Sequence, residues 1–521
     1  MQGTAFLDQL LHKWKKSIKD YWVWAFASTF VVGFVAYGFL VTNRFLTYDS
    51  MWNMYSDQNM ITSGRQFLGW ACSLGSYYDL PWLNGCLALL YLAITSVLVV
   101  EGLGIRSKLG AALAAGLIVS FPSVISSFCY TFTVDGYMLA ALLATIAFAL
   151  ADKKGWWWIP GAVIMGVSLG IYQAFLSFAM VLCILRLLLD IIEQKSVKEW
   201  AVKVLRYCGM GACGYGVYLV SLNIMLKLTG NSLSGYQGTD NIGKFSMSQL
   251  PAGLLASFKN FKDFALYGNV LTTTDVMKLV VVLLVILGVA FYVMQLMPLF
   301  KDIKKNWLSI LAVVLLVAAI PFATTTMCII APTLYYHTLM RGSWSLLFVF
   351  VLAVAERVKT AGLAWKVKKA SVIVACLCAF LLVFEFAKMA NIVAFNMQER
   401  YEKNYALCIR IVQLLEQTKG YEHGDKVAIL GGGPNLTNYP STDITKEDLV
   451  GYFGADGDYS LNSTSKYAAF MSHYMNVTLQ TIDYEEELKL AESEAFKAMA
   501  RFPDKACVEK IGDVWVVKLN G

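Results

Sequence analysis

Charged side chains are scarce in this sequence: Asp, Glu, Lys and Arg make up 15% of its 521 residues, whereas 57% are hydrophobic. A soluble protein carries about 25% charged residues. The deficit therefore excludes an ordinary soluble protein and indicates a polytopic membrane protein. The net charge of +7 does not indicate nucleic-acid binding, because the basic residues occupy short links between apolar segments, as the positive-inside rule predicts.

The motifs of several kinds of site are also missing. The 11 cysteines are scattered, with no CxxC pair and no Cys/His cluster, so neither a metal site nor a disulfide framework is predicted. The sequence contains no HExxH and no GK[ST] motif. Zinc-protease and P-loop chemistry therefore have no sequence support.

Apolar segments of membrane-spanning length dominate the first 390 residues. There are eleven, at residues 21–41, 82–101, 109–127, 134–151, 156–172, 174–192, 203–226, 278–299, 307–328, 342–356 and 370–390. Counting from a cytoplasmic N-terminus places all six lysine- and arginine-rich links on the cytoplasmic face. We therefore predict a multi-pass, α-helical protein of the plasma membrane with about 11 transmembrane helices. The first segment has the length of a span and no cleavage site follows it, so it is interpreted as a retained helix.

Residues 391–521 differ from the rest of the chain because charged residues become frequent. Helical spacing of apolar residues predicts helices at Asn396–Lys419 and Tyr484–Arg501. A short buried strand is expected from Lys426, and Gly512-Asp513 is typical of a two-residue β-hairpin turn. We predict a small extracytoplasmic α/β domain over 391–521, following a transmembrane domain over 1–390.

The first link on the extracytoplasmic face, residues 43–70, is where we expect function to centre. It carries two acids, Asp49 and Asp57, and a cation, Arg65, interleaved with aromatic residues. A carboxylate can accept the proton of an acceptor hydroxyl, while a cation stabilises charge on a phosphate leaving group. If the segment is helical, the spacing of eight places both acids on roughly the same side; the alternative is that they are solvated loop charges.

Polar residues elsewhere on the same predicted face are candidate partners. Asp135 opens the fourth apolar segment, where it serves either chemistry or the favourable interaction of an acid with a helix N-terminus. Tyr172 and Gln173 interrupt a continuous apolar run, and such residues either face a cavity or satisfy a turn.

A cluster of aromatic and basic residues precedes the tenth apolar segment. Arg341 follows Tyr335 and His337 closely, and an arginine there can hold a phosphate bidentately. A lone histidine is more often structural than catalytic, so both interpretations of His337 stay open.

Several short motifs in one order resemble a known family. They are TYDSMW and SGRQF in the first outer link, FTVDGYMLAALL at the entry to the fourth segment, and GIYQAFLSFAMVLCILRLLL. In these motifs the chain resembles the bacterial type II glucosyltransferases that decorate O-antigens and other surface glycopolymers, within the GT-C superfamily. The similarity covers most of the membrane part, and the tail matches only loosely.

The resemblance implies an activity and a site. It implies a polyprenyl-phosphate-linked sugar as donor, with glucose on undecaprenyl phosphate expected, and a cell-surface glycan as acceptor on the outer face. Asp49 matches the acidic residue of the first outer loop, which acts as base or helps to organise the reaction centre. Ser50 replaces the usual second acid, so Asp57 or Asp135 would have to substitute for it. The resemblance also allows a divalent cation as cofactor, which some GT-C enzymes need and others do not.

Two other functions are compatible with a polytopic chain. A flippase or transporter of lipid-linked sugar would carry charges along its spans, but here they are nearly charge-free and polar residues gather on the outer side. An O-antigen-type polymerase would build its site in a large loop, and residues 228–277 are long enough for one. The sequence favours the glucosyltransferase.

Overall fold

The computed structural model describes residues 8–9, 13, 15, 17–45, 47, 49–235, 247–267, 271, 274–332, 334–359, 365–431 and 461–519. It divides the chain into two units. The first comprises Met1–Thr42 and Tyr55–Asn391, and the second comprises Asn43–Met54 and Ile392–Gly521. The segment that carries Asp49 thus belongs to the same unit as the C-terminal region.

The first unit is built from helices. They are α1 Asp20–Thr42, α3 Leu68–Ser73, α4 Pro81–Leu103, α5 Lys108–Ser120, α6 Pro122–Phe128, α7 Val134–Asp152, α8 Trp158–Ile171, α9 Phe175–Ile192, α10 Val197–Thr229, α11 Leu250–Leu266, α12 Asp275–Phe300, α13 Ile303–Thr324, α14 Thr326–Ile330, α15 Ser343–Ala355 and the start of α16, Trp365–Gln417. Local signals set their ends. For example, α4 starts with Pro81 and stops before Gly104, whose φ of 69° only glycine adopts readily.

Within the described ranges, nine helices are long and apolar enough to cross a membrane. They confirm that the chain is a mostly helical, multi-pass membrane protein, while the count of eleven stays a prediction. The expected span 109–127 is instead a pair, α5 and α6, bent by 49°, because Pro122 lacks the N–H that would continue the helix. Helix α8, with 14 residues, is shorter than a span.

The predicted boundary after residue 390 does not interrupt the helix. Helix α16 continues through 53 residues and merges the expected span 370–390 with the expected helix 396–419. The residues between these two segments contain no glycine or proline. Because no helix-breaking residue is present, the backbone hydrogen bonds of the helix continue through them.

The second unit contains a four-stranded sheet in the order β2-β1-β4-β3. Its strands are β1 Lys426–Leu430, β2 Gln480–Thr481, β3 Val508–Ile511 and β4 Val514–Lys518, and its helices are α2 Ser50–Asn53, α17 Thr464–Met475, α18 Tyr484–Glu492, α19 Glu494–Ala498 and the end of α16. β1 pairs in parallel with β2 and β4, and β3 pairs antiparallel with β4. This confirms the hairpin at Gly512, whose φ is 65°.

The expected helix 484–501 is wrong in its extent. It breaks at Ser493, whose side chain caps a new helix by accepting from the amide of Phe496. Alternate residues of the strands face opposite sides. Val427 and Ile429 pack with Leu407 and Ile411 of α16, while Ala428 and Leu430 pack with Phe496.

An ion-pair network occupies one end of the first unit. Asp190, fully buried near the end of α9, lies 2.5 Å from Arg186, 2.5 Å from Lys195 and 2.6 Å from Lys203. Lys203 also lies 2.7 Å from Asp152 at the end of α7. A buried carboxylate is stable only when cations compensate it, so this network holds α7, α9 and α10 together at that end.

Candidate functional site

Asp135 lies in the first turn of α7 with only 1% of its surface exposed. Neither of its carboxylate oxygens has a hydrogen-bond partner in the described part of the chain. Burying a polar group without a partner is costly, and acidic residues inside membrane segments are usually functional. Asp135 therefore has full capacity to accept a hydrogen bond or a proton from a bound molecule.

Asn84, in the first turn of α4, faces the same place. Its amide nitrogen donates to the carbonyls of Tyr78 and Thr131 at 3.1 and 3.0 Å, which fixes the orientation of the amide. Its oxygen is buried and has no described partner. A Cβ added to Gly75 would lie 2.6 Å from this oxygen and 2.7 Å from Oδ2 of Asp135. We call Asp135 and Asn84, meeting beside Gly75, the acceptor cluster.

The acceptor cluster is supported by a second buried acid. Asp79 is 5% exposed and accepts a hydrogen bond from the hydroxyl of Thr131 at 2.5 Å. Thr131 also accepts from Asn84 through its carbonyl. The loop before α7 and the start of α4 are therefore tied together, and a molecule with hydroxyl groups is the natural complement of the clustered oxygens.

Arg65 lies on a platform of two tyrosines. The rings of Tyr137 and Tyr172 stack with centroids 4.4 Å apart, and the guanidinium carbon of Arg65 lies 4.8 Å from the centroid of Tyr172. Nη1 of Arg65 donates to the hydroxyl of Tyr137 at 3.1 Å. Stacking and hydrogen bonding orient a planar cation. Since Tyr137 follows Asp135 by two residues, this arrangement places Arg65 on the same end of α7 as the acid.

Gln173 fixes the loop that carries Arg65. Its amide nitrogen donates to the carbonyl of Gly64 at 2.6 Å and to the hydroxyl of Tyr218 at 3.2 Å. Tyr218 in turn donates to the same carbonyl at 3.1 Å. Gly64 has a φ of 71°, a conformation that glycine adopts without strain. Of the residues predicted to bind substrate, Arg65, Tyr172 and Gln173 are thus brought together, with Gln173 supporting the loop.

Arg341 lies between two aromatic rings near the start of α15. Its guanidinium carbon is 4.6 Å from the centroid of Phe264 and 4.9 Å from that of Tyr336. Nη2 donates to the carbonyl of Tyr336 at 2.8 Å, and two longer contacts of 3.4 Å reach Asn260. Arg341 is 9% exposed.

His337 and Tyr335 flank this arginine. Burial and the charge of Arg341 lower the pKa of His337 to about 4, so the ring is neutral at physiological pH. Its Nδ1 accepts from the amide of Leu339 at 3.2 Å, which leaves Nε2 to carry the proton. Tyr335 is exposed, and its ring centroid lies 6.0 Å from that of His337.

Contacts connect the Arg341 region with the start of α7. The rings of Tyr130 and His337 are 6.4 Å apart, and Tyr130 lies in the loop that leads to Asp135. Met138, one turn after Asp135, shares a small cavity of about 20 Å³ with Leu339 and Gly342, which flank Arg341. The predicted residues of the first unit therefore gather around one end of its helices.

The two remaining acids lie in different units. Asp57, in the first unit, is exposed, and its carboxylate accepts from the amide of Asn59 at 3.0 Å. Asp49, in the second unit, is exposed and precedes α2. The idea that one helix places both on the same side is wrong, because α2 ends at Asn53 and Gln58 has a φ of 56°.

No group of three or more His, Cys, Asp or Glu side chains in the described ranges could hold a metal ion. Sequence reasoning missed Asn84, Gly75 and Tyr137. The one signal available was an asparagine just inside an apolar segment, in PWLNGCLALL. Polar residues at membrane depth are costly unless they have a role.

Comparison with known proteins gives one family. The family model described as Glucosyl transferase GtrII matches residues 38–354, more than half of the chain. The match covers the acceptor cluster, Arg65, Gln173 and Arg341. No curated protein and no solved structure matches the chain.

Proposed function

Because the chain belongs to the glucosyl transferase GtrII family and is therefore a membrane glucosyltransferase, we propose that it transfers glucose from a polyprenyl-phosphate donor to a cell-surface glycan. The reaction takes place on the outer face of the plasma membrane. The acceptor hydroxyl oxygen attacks the anomeric carbon, the bond between that carbon and the phosphate oxygen breaks, and polyprenyl phosphate leaves. The hydroxyl proton passes to a carboxylate.

The acceptor cluster is the observation that carries the proposal. A sugar offers hydroxyl donors, and the two buried oxygens beside Gly75 lack donors in the described chain. Asp135 binds a sugar hydroxyl at this point and assists the base. Asp49 is the base that the family resemblance implies, and Asp57 is the alternative second acid.

The arginines supply the charge that a phosphate donor requires. Arg65, oriented by Tyr137 and Tyr172, and Arg341, oriented by Tyr336, bind the phosphate and stabilise the charge that develops as the bond breaks. Gln173, His337 and Tyr335 lie around these two arginines and complete the proposed substrate-binding site. A site at the ends of the helices is accessible to both substrates, because the lipid donor arrives along the bilayer and the glycan arrives from water.

Incubation of the purified protein with a radiolabelled polyprenyl-phosphate glucose and a surface glycan tests the proposal. Transfer of a single glucose is expected. Growth of a polymer would instead favour the polymerase, and absence of turnover would favour the flippase. In the same assay Asp49→Asn should abolish transfer while the protein is still expressed, and retained activity would remove Asp49 from the role of base.

A further inference from the structure

A second cavity lies at the other end of the first unit. It has a volume of about 600 Å³, within the range of ligand-binding pockets. Residues at the end of α9, the end of α12, the link after α15 and the start of α16 line it. Helix α9 begins just after Gln173 and ends just before Glu193. Its 18 residues separate the two sites by about 27 Å, at 1.5 Å per residue.

The charges that line this cavity are mainly positive. Among the described residues that line it are Arg357, Lys359 and Lys368, together with a single acid, Glu193. Glu193 is already neutralised: it lies 2.7 Å from Arg357, 3.2 Å from Arg186 and 3.3 Å from Lys195. Burial raises the pKa of Glu193, but the hydrogen bond from Arg357 and the neighbouring charges hold it below its ordinary value.

The two lysines supply the excess charge. Neither Lys359 nor Lys368 forms an ion pair with a described residue, although both line the same cavity. Like charges repel when they share a pocket. Their placement is therefore favourable when an anion lies between them.

The wall of the cavity that α12 forms is mainly apolar. Met294 and Pro298 line it beside Gln295, whose amide nitrogen already donates to the carbonyls of Phe291 and Val354. The neighbouring Val293, Met297 and Phe300 are 47%, 61% and 49% exposed on the surface of the helix. In a membrane protein such an exposed apolar face contacts lipid chains. A ligand that joins an anionic group to hydrocarbon chains fits both walls, whereas a small soluble anion uses only one.

We propose that this basic cavity binds the anionic headgroup of a phospholipid, whose acyl chains lie along α12. Lys359 and Lys368 contact the phosphate. Arg357, paired with Glu193, holds the link after α15 in place at the edge of the cavity. Basic pockets between membrane helices are a recurrent way of binding anionic headgroups. The proposal concerns a site distinct from the acceptor cluster, so it does not depend on which sugar or acceptor the enzyme uses.

Native mass spectrometry of the full chain tests this inference. Protein in detergent is equilibrated with phosphatidylglycerol or with phosphatidylcholine of the same acyl chains. We expect phosphatidylglycerol to be retained, and the double variant Lys359→Gln, Lys368→Gln to bind it on the order of tenfold more weakly. The matched control is Lys366→Gln, Lys369→Gln, which removes two lysines from the same helix start that lie over the ring of Trp365 and do not line the cavity.

Four results would overturn the proposal. They are equal retention of the two lipids, unchanged binding in the Lys359/Lys368 variant, equal weakening in the control, and displacement of phosphatidylglycerol by millimolar inorganic phosphate, which would identify a soluble anion as the ligand. Thermal unfolding of each variant verifies that it is folded. Lys359 and Lys368 form no ion pair or hydrogen bond with a side chain in the described ranges, so their replacement should leave stability unchanged.

Discussion

Asn84 and Asp135 direct one oxygen each toward the same point beside Gly75, although they are 51 positions apart in the sequence. The amide of Asn84 cannot rotate to offer its nitrogen instead, because that nitrogen is held by the carbonyls of Tyr78 and Thr131. The oxygens of Asn84 and Asp135, both hydrogen-bond acceptors, therefore lie beside the same point. A hydrogen-bond donor of a bound molecule, placed between the two oxygens, would satisfy this arrangement.

Replacing Asp135 with asparagine is expected to lower activity without lowering stability. The new amide can donate to Asn84, so we expect the Asp135→Asn protein to be as thermally stable as the wild type or more so. Transfer should fall on the order of 10²-fold, because an amide cannot take up a hydroxyl proton as a carboxylate does. Transfer rate and thermal unfolding of the purified protein measure the two effects. Asp302→Asn, at an exposed helix cap that asparagine also makes, is the control, and an active Asp135→Asn protein would remove Asp135 from the site.

Gly75→Ala tests the space in the acceptor cluster. The added Cβ would approach both oxygens to under 3 Å, so they must move apart and the hydroxyl-binding geometry is lost. We expect transfer to fall at least tenfold while the protein still folds. Gly211→Ala adds the same methyl group where nothing lies within 4 Å, and it should leave activity intact. Equal activities of the two variants would contradict the assignment of Gly75.

Arg65→Lys keeps the charge and removes the planar group. Lysine cannot stack on Tyr172 and reach Tyr137 in the same way. We expect the KM for the lipid donor to rise about tenfold, which corresponds to about 1.4 kcal/mol, with a smaller change in kcat. Steady-state kinetics with varied donor measures this. Arg501→Lys, at an exposed arginine of the second unit, provides the comparison, and an unchanged KM would exclude Arg65 from donor binding.

The ion-pair network around Asp190 can be tested at Lys203. Lys203→Met leaves one oxygen of a fully buried carboxylate without its cation, and an unsatisfied buried group costs about 1–3 kcal/mol. We expect the melting temperature to fall by several degrees in thermal unfolding. Lys198→Met lies on the same helix, where the lysine is exposed, and should change little. A network of no structural importance would give the two variants the same melting temperature.

The membrane helices could be located from the sequence because their signal is long and local. The first apolar segment, expected at 21–41, lies at Asp20–Thr42, since about 20 consecutive apolar residues satisfy the bilayer without reference to the rest of the chain. Interruptions were harder to foresee. The prediction of one span over 109–127 overlooked Pro122, at which α5 and α6 bend, and Ser493 divides a helix by capping, which a helical spacing of apolar residues does not reveal.

The candidate site could be predicted only in part. Asp135, Arg65 and Gln173 stand out because charged and polar residues are rare in apolar sequence. Asn84 and Gly75 do not, since their role depends on a contact between α4, the loop after α3 and α7 that no local pattern encodes. The role of Gln173 was also not evident from the sequence, because its amide holds the backbone of Gly64 in the structure.

The two oxygens beside Gly75 also have a consequence for the abundance of the enzyme in the cell. A sugar substrate that satisfies them binds the native fold and not the unfolded chain, so it shifts the folding equilibrium by mass action. Abundance of the protein would then follow the supply of that substrate, and starvation for it would leave the chain easier to degrade.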